Sequence, residues 1–383
     1  MNKRKLIPKI VILFLIGSKI LGLISISFYT SDSNLDNKGP RISPSSSPIY
    51  INDADPGSNW TVAKGAGICT GEGTYSEPYV IEDLLIGSTG SGSCIWIENS
   101  DVYFKIENCT LSGGSHSGIQ LSNVSNSLLN NNTCSANFYG IHLSSSDNNI
   151  VSGNLLNNDI NGITLMGCDL NTISGNIANY HDDQGIYVYG SDDNKILDNI
   201  VNYNRIGIHL EMSKSNNVTN NTVNNNYGED GISLWWSSDN NDIIGNTAND
   251  NKKNGIYIAN SNGNNISGNT ANNNHMMSGI KLWYSSNNDI EGNTMNNNDD
   301  AGISLTFSNN NKVSGNQLSG NPSCFIEVDC TGNIFEDNIC EENGDNGDNG
   351  DNGIPGYDVF WLFGVISVLS GISIYVIMKK IKK

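Results

Sequence analysis

The sequence predicts an all-β protein, a single-stranded right-handed parallel β-helix of about eleven coils with 22–24 residues in each coil. The first observation is a Gly-Ile pair that recurs nine times, from Gly118 to Gly302, in steps of 22 to 24 residues. The second is a block of the form N-x-I-x-G-N, such as Asn171–Asn176, that recurs at the same interval. The third is a period-two alternation of apolar residues, as in Gly140–Leu143, which is typical of a strand.

The amino-acid composition excludes several other classes of protein. The chain has 383 residues, of which 64 are Asn and 41 are Gly, and both residues are poor helix formers. Charged residues make up only 15% of the chain, which argues against a charged, disordered polypeptide. The net charge of −19 and the pI near 4.4 exclude nucleic acid as a partner, because its phosphates require a basic surface.

Both ends of the chain carry an apolar segment. Residues 1–28 start with basic residues and continue as an apolar run, which predicts a signal peptide or an uncleaved signal anchor. Within residues 357–378, the 20 residues from Val359 to Met378 are mostly apolar and uncharged, long enough for a transmembrane helix. Because a basic tail follows at once, we expect a single-pass cell-membrane protein with its C-terminus in the cytoplasm and its β-helix outside the cell.

The chain is therefore predicted to contain seven segments. In order, they are a signal peptide or signal anchor at 1–28, a flexible segment at 29–48, an N-terminal cap with the first strands at 49–93, the β-helix at 94–343, a GDN-repeat linker at 344–356, the transmembrane helix at 357–378 and a cytoplasmic basic tail at 379–383. The linker has almost no apolar residues and so cannot form a core.

The external part is strongly acidic. Nine of the 20 basic residues and none of the 39 acidic residues lie in the two apolar ends, so 11 basic residues face 39 acidic ones outside, a net charge of −28. Eight Cys in an exported chain predict disulfides. We expect Cys324, Cys330 and Cys340 to staple the C-terminal end, in a pairing that the sequence leaves open. Seven N-x-S/T triplets permit N-glycosylation and predict a glycoprotein.

Stacking of coils explains the excess of Asn. Equivalent residues of neighbouring coils lie about 4.8 Å apart, so an inward Asn at a turn can bond to the next Asn of the stack and to the turn backbone. Asn also tolerates the left-handed backbone of such turns. Three structural rows are predicted. The first row contains Asn154, Asn176, Asn199, Asn221, Asn246, Asn269, Asn293 and Asn316. The second row lies three residues further along and contains Asn157, Asn179, Asn202, Asn224, Asn249, Asn272 and Asn296. The third row contains Ser146, Ser191, Ser213, Ser237, Ser261, Ser285 and Ser308, with Cys168 and Cys330 in register.

The residues two and four positions after the glycine of each Gly-Ile pair are predicted to point outward. The aromatic residues among them are Tyr187, Tyr189, Trp235, Tyr257 and Trp283. A row of flat rings can stack on successive sugar faces, so we expect these five side chains to bind a polysaccharide or cell-surface glycan. The alternative is that they stabilise the sheet or pack against a loop or a neighbouring protein. Trp236, Tyr284 and Phe307 follow at the strand ends and either extend this patch or turn inward.

A second group of candidate residues is charged. Two residues before each glycine stand Asp183, Arg205, Glu229 and Lys253, whose alternating signs favour a salt-bridge ladder. If the chain is an enzyme, its catalytic candidates are Asp182, Asp183, Arg205, Glu211, Glu229 and Asp230. No consensus metal-binding loop is present, so neither a metal site nor a cofactor is assigned, although external carboxylates can bind calcium.

These motifs resemble the NosD-type right-handed β-helix domains of secreted archaeal and bacterial proteins. The resemblance covers about residues 64–340 and rests on the repeated N-x-I-x-G-N…G-I-x-L unit and on GEGTYSEPYVI at Gly71–Ile81. It implies the pectate-lyase-like superfamily fold and frequent association with carbohydrate. Lyases of this fold use an arginine base beside aspartate-bound calcium, a role that would map onto Arg205. Ile354–Tyr357 with the apolar span and Lys tail looks like the membrane-anchored surface proteins of Asgard-type archaea.

The NosD name also implies the maturation of a copper enzyme. His275–Met277 is the one clustered set of residue types suited to copper in the sequence.

The sequence thus predicts an exported, membrane-tethered β-helix that binds polysaccharide or another surface partner without catalysis. One alternative is a polysaccharide lyase or glycoside hydrolase that acts on acidic glycans. Another is a structural surface-layer or adhesion protein. No oligomeric state is predicted.

Overall fold

Parallel strands of successive coils stack into three sheets. The computed structural model describes residues 47–87 and 92–341, in which each strand pairs with its counterpart in the next coil. Sheets 1 and 2 have twelve strands each, and sheet 3 consists of a five-stranded and a three-stranded part. Single parallel bridges, from Ile177↔Ile200 to Thr270↔Thr294, continue sheet 3 between its two parts. This architecture confirms the predicted all-β, right-handed parallel β-helix of about eleven coils.

The strand bounds follow the repeat. Sheet 1 contains Ile49–Asn52, Ile95–Ser100, Ser117–Val124, Tyr139–Ser144, Asn161–Met166, Gln184–Tyr189, Ile206–Glu211, Ile232–Trp235, Ile256–Ala259, Ile280–Trp283, Ala301–Thr306 and Ser323–Val328. Sheet 2 contains Tyr79–Glu82, Phe104–Glu107, Ser127–Asn130, Ile150–Ser152, Thr172–Ser174, Lys195–Leu197, Asn217–Thr219, Asp242–Ile244, Asn265–Ser267, Asp289–Glu291, Lys312–Ser314 and Ile334–Glu336. Sheet 3 contains Leu85–Gly87, Thr110–Ser112, Thr133–Ser135, Leu155–Asn157 and Ile177–Asn179, then Thr294–Asn296, Gln317–Ser319 and Ile339–Glu341.

The one helix in the described residues, Trp60–Gly65, packs at the N-terminal end of the stack. Asn59 caps it, because its Oδ1 accepts a hydrogen bond from the Val62 N–H at 3.1 Å. Trp60 is buried, and its ring stacks on Tyr79 with 4.8 Å between centroids. The helix therefore covers core residues that the first coil would otherwise expose.

A disulfide closes the last coil. It joins Cys324 in sheet 1 to Cys340 in sheet 3, with 5.8 Å between the Cα atoms. Cys330 remains a thiol, and its Sγ accepts a hydrogen bond from the Ser308 N–H at 3.3 Å. The pairing that the sequence left open is thus settled for this group.

The predicted segment at 1–28, residues 29–46 of the predicted flexible segment at 29–48, and all residues after 341 lie outside the described residues. They include the linker at 344–356 and the transmembrane helix at 357–378. Among the residues that the structure describes, no helix is long and apolar enough to span a membrane.

Asn199 shows how the first Asn row holds the coils together. Its side chain is fully buried. Its Nδ2 donates to Asn221 Oδ1 at 3.0 Å and to the Ile173 carbonyl at 2.9 Å. Its Oδ1 accepts from the N–H and the Nδ2 of Asn176, at 2.9 and 3.0 Å. Each amide of this row thus satisfies backbone groups of the coil turn and links to the next amide, which confirms the predicted inward ladder.

The other two predicted rows need corrections. The Ser row is buried, but Ser238, not Ser237, occupies its position, because the extra residue of that coil lies between Trp235 and Ser238. The row from Asn157 to Asn296 is half-buried on the outer side of the coils and does not point inward. Its side-chain oxygens accept backbone N–H groups of the next coil, as Asn179 does from Asn202 at 2.7 Å.

A further buried row follows sheet 3 and was not predicted. Its members are Asn137, Asp159, His181, Asn204, Asn226, Asn251, Asn274, Asn298 and Asn321. They bond from coil to coil in the same way, as Asn226 Nδ2 does to Asn251 Oδ1 at 2.9 Å.

Two members of this row are ionisable and buried. Burial raises the pKa of Asp159 to about 7 and lowers the pKa of His181 to about 4. Asp159 Oδ1 accepts from the N–H and the Nδ2 of Asn137, at 2.8 and 2.9 Å. Its Oδ2 has no hydrogen-bond partner within the described residues and lies 4.0 Å from His181 Nδ1. His181 Nδ1 lies 3.2 Å from the Asp159 N–H and 3.3 Å from the Asp159 carbonyl oxygen. Near neutral pH, this pair therefore imposes a desolvation cost that the Asn positions avoid.

Close approach between coils explains the glycine of the Gly-Ile pair. A Cβ added to Gly207 would lie 2.4 Å from the Gly231 carbonyl oxygen and 2.2 Å from Val223 Cγ1. Both distances are well below van der Waals contact, so a side chain would force the coils apart. The repeated glycine is therefore explained by the close packing of neighbouring coils.

Candidate ligand-binding face

The outer face of sheet 1 carries the aromatic residues that the sequence singled out. All five point away from the core: Tyr189 and Trp283 are each 38% exposed, and Tyr187, Trp235 and Tyr257 are partly buried. Trp235 pairs in register with Ala259, and Ala259 with Trp283, so the two indoles are two coils apart. Ala259 between them is only 4% exposed, because larger neighbours cover it.

A second column of aromatic side chains borders this face. Trp236, Tyr284 and Phe307 are 49%, 47% and 37% exposed, and Tyr284 stacks on Phe307 with 4.6 Å between ring centroids. Their φ angles are 44°, 49° and 50°, in the left-handed region that Gly190 occupies in another coil. The same turn position is left-handed in other coils too, as at Met212 with a φ of 51°, so this conformation belongs to the coil turn. Of the two sequence expectations, the structure thus supports extension of the patch.

A polar network crosses three coils of the same face. The Tyr187 hydroxyl donates to Glu211 Oε2 at 2.6 Å, and His209 Nε2 lies 3.6 Å from the same oxygen. His209 Nδ1 lies 2.7 Å from Ser233 Oγ, and the His209 ring stacks on Tyr187 at 5.3 Å. Ser233 was missed in the sequence, although its place two residues after Gly231 is the signal that would have found it.

The network fixes the charge of its members. Hydrogen bonding from His209 lowers the pKa of Glu211, and the Tyr187 hydroxyl acts in the same direction. Burial, reinforced by Glu211, raises the pKa of Tyr187. The carboxylate therefore stays ionised and the phenol stays protonated at neutral pH.

The charged row forms the expected ladder. Arg205 lies 2.9 Å from Asp183 Oδ1 and 2.7 Å from Glu229 Oε1, and Lys253 Nζ lies 3.7 Å from Glu229 Oε2. Because these side chains are 18% to 46% exposed, the ladder adds little stability. Its main effect is to engage the Arg205 guanidinium on both sides.

The six catalytic candidates do not meet at one centre. Arg205, Glu211 and Glu229 line one cleft. Asp182 is exposed, and Asp183 bonds to Arg205. Asp230 is buried and accepts from the N–H and the Nδ2 of Asn254, at 2.9 and 2.8 Å, and burial raises its pKa to about 6.

This cleft, hereafter the Glu211 cleft, has a volume of about 260 Å³. It is lined by Gln184, Arg205, Ile206, His209, Glu211, Glu229, Trp235 and Trp236. A larger depression of about 530 Å³ lies at another corner of the coils, between Asn99 and Asn148, and has no aromatic lining. The Glu211 cleft therefore combines charge, hydrogen-bonding groups and indole rings in one place.

Comparisons with known proteins identify the fold. Residues 93–248 match the family described as right handed beta helix region, and residues 224–350 match the family described as periplasmic copper-binding protein (NosD). No curated protein sequence matches the chain. A substituted form of the periplasmic alginate epimerase AlgG is 18% identical, with 77% of this chain and 84% of that chain covered and a TM-score of 0.50.

Two further solved structures are less similar. The A-module of mannuronan C-5 epimerase AlgE4 from Azotobacter vinelandii is 14% identical over 74% of this chain and 92% of that chain, with a TM-score of 0.44. Tailspike protein 2 of bacteriophage CBA120 is 15% identical over 61% and 42%, with a TM-score of 0.42. At these identities, the likeness establishes the fold alone.

The description of the second family names copper, which raises the question of a metal site in the described residues. Within residues 47–87 and 92–341, no group of three or more His, Cys, Asp or Glu side chains is placed to hold a metal ion. His275 and Met276 are exposed, and Met276 is held at a φ of 67° with its N–H on Asp299. We therefore derive no copper chemistry for this face.

Proposed function

We propose that this chain, a NosD-type right-handed β-helix protein, is tethered to the cell membrane by its C-terminal apolar segment and binds polysaccharide outside the cell. The observation that carries the proposal is the outer face of sheet 1, where two columns of aromatic side chains lie beside the Glu211 cleft. Exposed rings in register on rigid strands suit the flat faces of sugars. An alginate epimerase shares the fold, which is compatible with a polysaccharide partner.

The charges in the cleft favour binding over hydrolysis. Glycoside hydrolysis needs a carboxylic acid that holds a proton for the leaving group. Glu211 has a lowered pKa, and Glu229 is paired with Arg205 and Lys253. Asp230 has a raised pKa, but it is buried against Asn254 and does not line the cleft.

The combined substitution Trp235→Ala and Trp283→Ala is expected to weaken retention of bound polysaccharide by about 30-fold or more, because each lost ring removes roughly 1 kcal/mol or more of stacking. The measurement is affinity electrophoresis of the full-length protein in gels that contain polysaccharide. Tyr75→Ala, at an 83% exposed tyrosine away from this face, serves as the control and should migrate like wild type. Equal retention of the double variant and wild type would contradict the aromatic platform.

A second candidate function is turnover of the bound polysaccharide, which the Tyr187–Glu211–His209 network favours. An ordered phenol, carboxylate and imidazole are groups suited to proton transfer. In that case, incubation with uronic-acid polymers should release unsaturated ends, and Tyr187→Phe should lower the rate by about 100-fold. No product from any polymer that the protein retains would eliminate this function and leave the binding proposal intact.

A further inference from the structure

Glu211 is an anion whose one ion-pair partner within the described residues is His209, which is charged only when its imidazole is protonated. Its carboxylate is held by the Tyr187 hydroxyl at 2.6 Å and by His209 at 3.6 Å. Within the described parts of the chain, no lysine or arginine lies within 4.0 Å of it. Its side chain remains 17% exposed. In the described residues, no permanently charged cation therefore lies within 4.0 Å of the Glu211 carboxylate, and the carboxylate is accessible from the cleft.

The rest of the cleft does not supply the missing positive charge. Arg205 is shared between Asp183 and Glu229, and Lys253 contacts the second oxygen of Glu229. Of the lysine, arginine and acidic side chains that line the cleft, Arg205 is positive and Glu211 and Glu229 are negative, which leaves a net charge of −1 apart from His209. The external segment around them carries −28. A carboxylate on a ligand would therefore be repelled, and a cation would be attracted.

The walls beside Glu211 also suit a cation. Trp235 and Trp236 line the cleft, with 6.1 Å between their ring centroids. Trp236 is 49% exposed and is held at a φ of 44°, so its ring is presented at some cost to the backbone. Indole faces attract ammonium groups, and the attraction grows when the group is partly desolvated.

The size of the cleft limits what can enter. Its volume of about 260 Å³ is close to the lower end of the range for small-molecule sites, roughly 300 to 1,000 Å³. That space admits one sugar ring with its substituents, and it excludes a folded domain. The adjoining aromatic columns then offer stacking positions for the neighbouring sugars of a chain.

From these observations we infer that the Glu211 cleft binds the ammonium group of an amino sugar, so the preferred ligand is a polysaccharide with free, unacetylated amino groups. The inference rests on the proposed function and names its substrate class. The carboxylate of Glu211 forms the ion pair, and the indoles of Trp235 and Trp236 cover the cation. An acidic polysaccharide, the substrate class of the enzyme alternative, is the least suited ligand for this cleft.

The test compares two oligosaccharides of equal length. The full-length protein is titrated with a β-1,4-glucosamine hexamer and with its N-acetylated counterpart, and Trp fluorescence reports binding. We expect the free-amine hexamer to bind about tenfold more tightly, and Glu211→Gln to reduce this preference to within about twofold. Lys281→Gln, which removes a charge elsewhere on the face, should leave the preference unchanged.

Several outcomes would overturn the inference. Equal affinity of wild type for the two hexamers would contradict the proposed ion pair at Glu211. An unchanged preference for the free-amine hexamer in Glu211→Gln would contradict it as well. If hexalysine binds as tightly as the free-amine hexamer, the cleft recognises ammonium groups whether or not they belong to a sugar, and the proposed ligand class is wrong. The proposed function fails separately: in that case, neither hexamer nor any neutral or acidic polysaccharide is retained.

Discussion

Asn199→Ala is expected to lower the free energy of unfolding by about 3 to 6 kcal/mol. The substitution removes an amide that is fully buried and makes four hydrogen bonds to Ile173, Asn176 and Asn221. The partners that remain have no water to replace it, and each buried group left unpaired costs roughly 1 to 3 kcal/mol. Urea denaturation of the full-length protein, followed by far-UV circular dichroism, measures the change.

Asn202→Ala provides a graded control in the next turn of the same coil. Asn202 is half-buried, and its Oδ1 accepts one hydrogen bond, from the Asn224 N–H at 2.7 Å. We expect a loss of about 1 kcal/mol. If both variants lose the same small amount, the buried Asn ladder does not stabilise the stack in the way argued here.

Asp159→Asn is expected to stabilise the protein by about 3 kcal/mol at pH 8. The folded state holds the Asp159 carboxyl at a pKa of about 7, above the ordinary value of 3.8, because of burial. Because its folded pKa is raised, Asp159 binds its proton more tightly in the folded state than in the unfolded state. Its contribution to the free energy of unfolding therefore falls as pH rises from about 4 to about 7. The full loss is about 4 kcal/mol, at about 1.4 kcal/mol per pH unit. Asn has no such loss, and it can donate as Asn204 does to the Ala178 carbonyl at 3.0 Å.

Thermal melts between pH 5 and pH 9 measure this effect. His181 acts in the opposite direction, because its lowered pKa removes stability as pH falls below about 6.5. The difference in stability between wild type and Asp159→Asn removes the part of the His181 effect that both proteins share, and it should widen from pH 5 to pH 8. Asp182→Asn, at the exposed carboxylate nearby, should show no such widening. A destabilised Asp159→Asn variant at pH 8 would contradict the raised pKa of the buried Asp159 carboxyl.

The repeat made most of the fold predictable. The interval between Gly-Ile pairs determines the coil, and the period-two alternation determines which side chains face inward. Single-residue insertions limited this reasoning, since a fixed offset from glycine placed Ser237 in the buried row that Ser238 occupies. The buried row from Asn137 to Asn321 along sheet 3 was missed because Asp159 and His181 interrupt its Asn pattern.

The candidate site was predictable only in part. Outward positions followed from the strand period, so the aromatic column was found at Tyr187, Trp235 and Trp283. The spacing of residues along one strand does not determine which side chains bond between coils. Only the structure therefore shows the network of Tyr187, Glu211, His209 and Ser233. The same is true of the left-handed backbone that presents Trp236 and Tyr284.

The most direct test of the central claim, that the outer face of sheet 1 binds polysaccharide, is a glycan array probed with the full-length protein with and without calcium. We expect retention of a related set of polysaccharides under both conditions, with those bearing free amino groups strongest. The signal should disappear for the Trp235→Ala and Trp283→Ala double variant. An array on which no polysaccharide is retained, or on which the double variant retains the same set as wild type, would contradict the account.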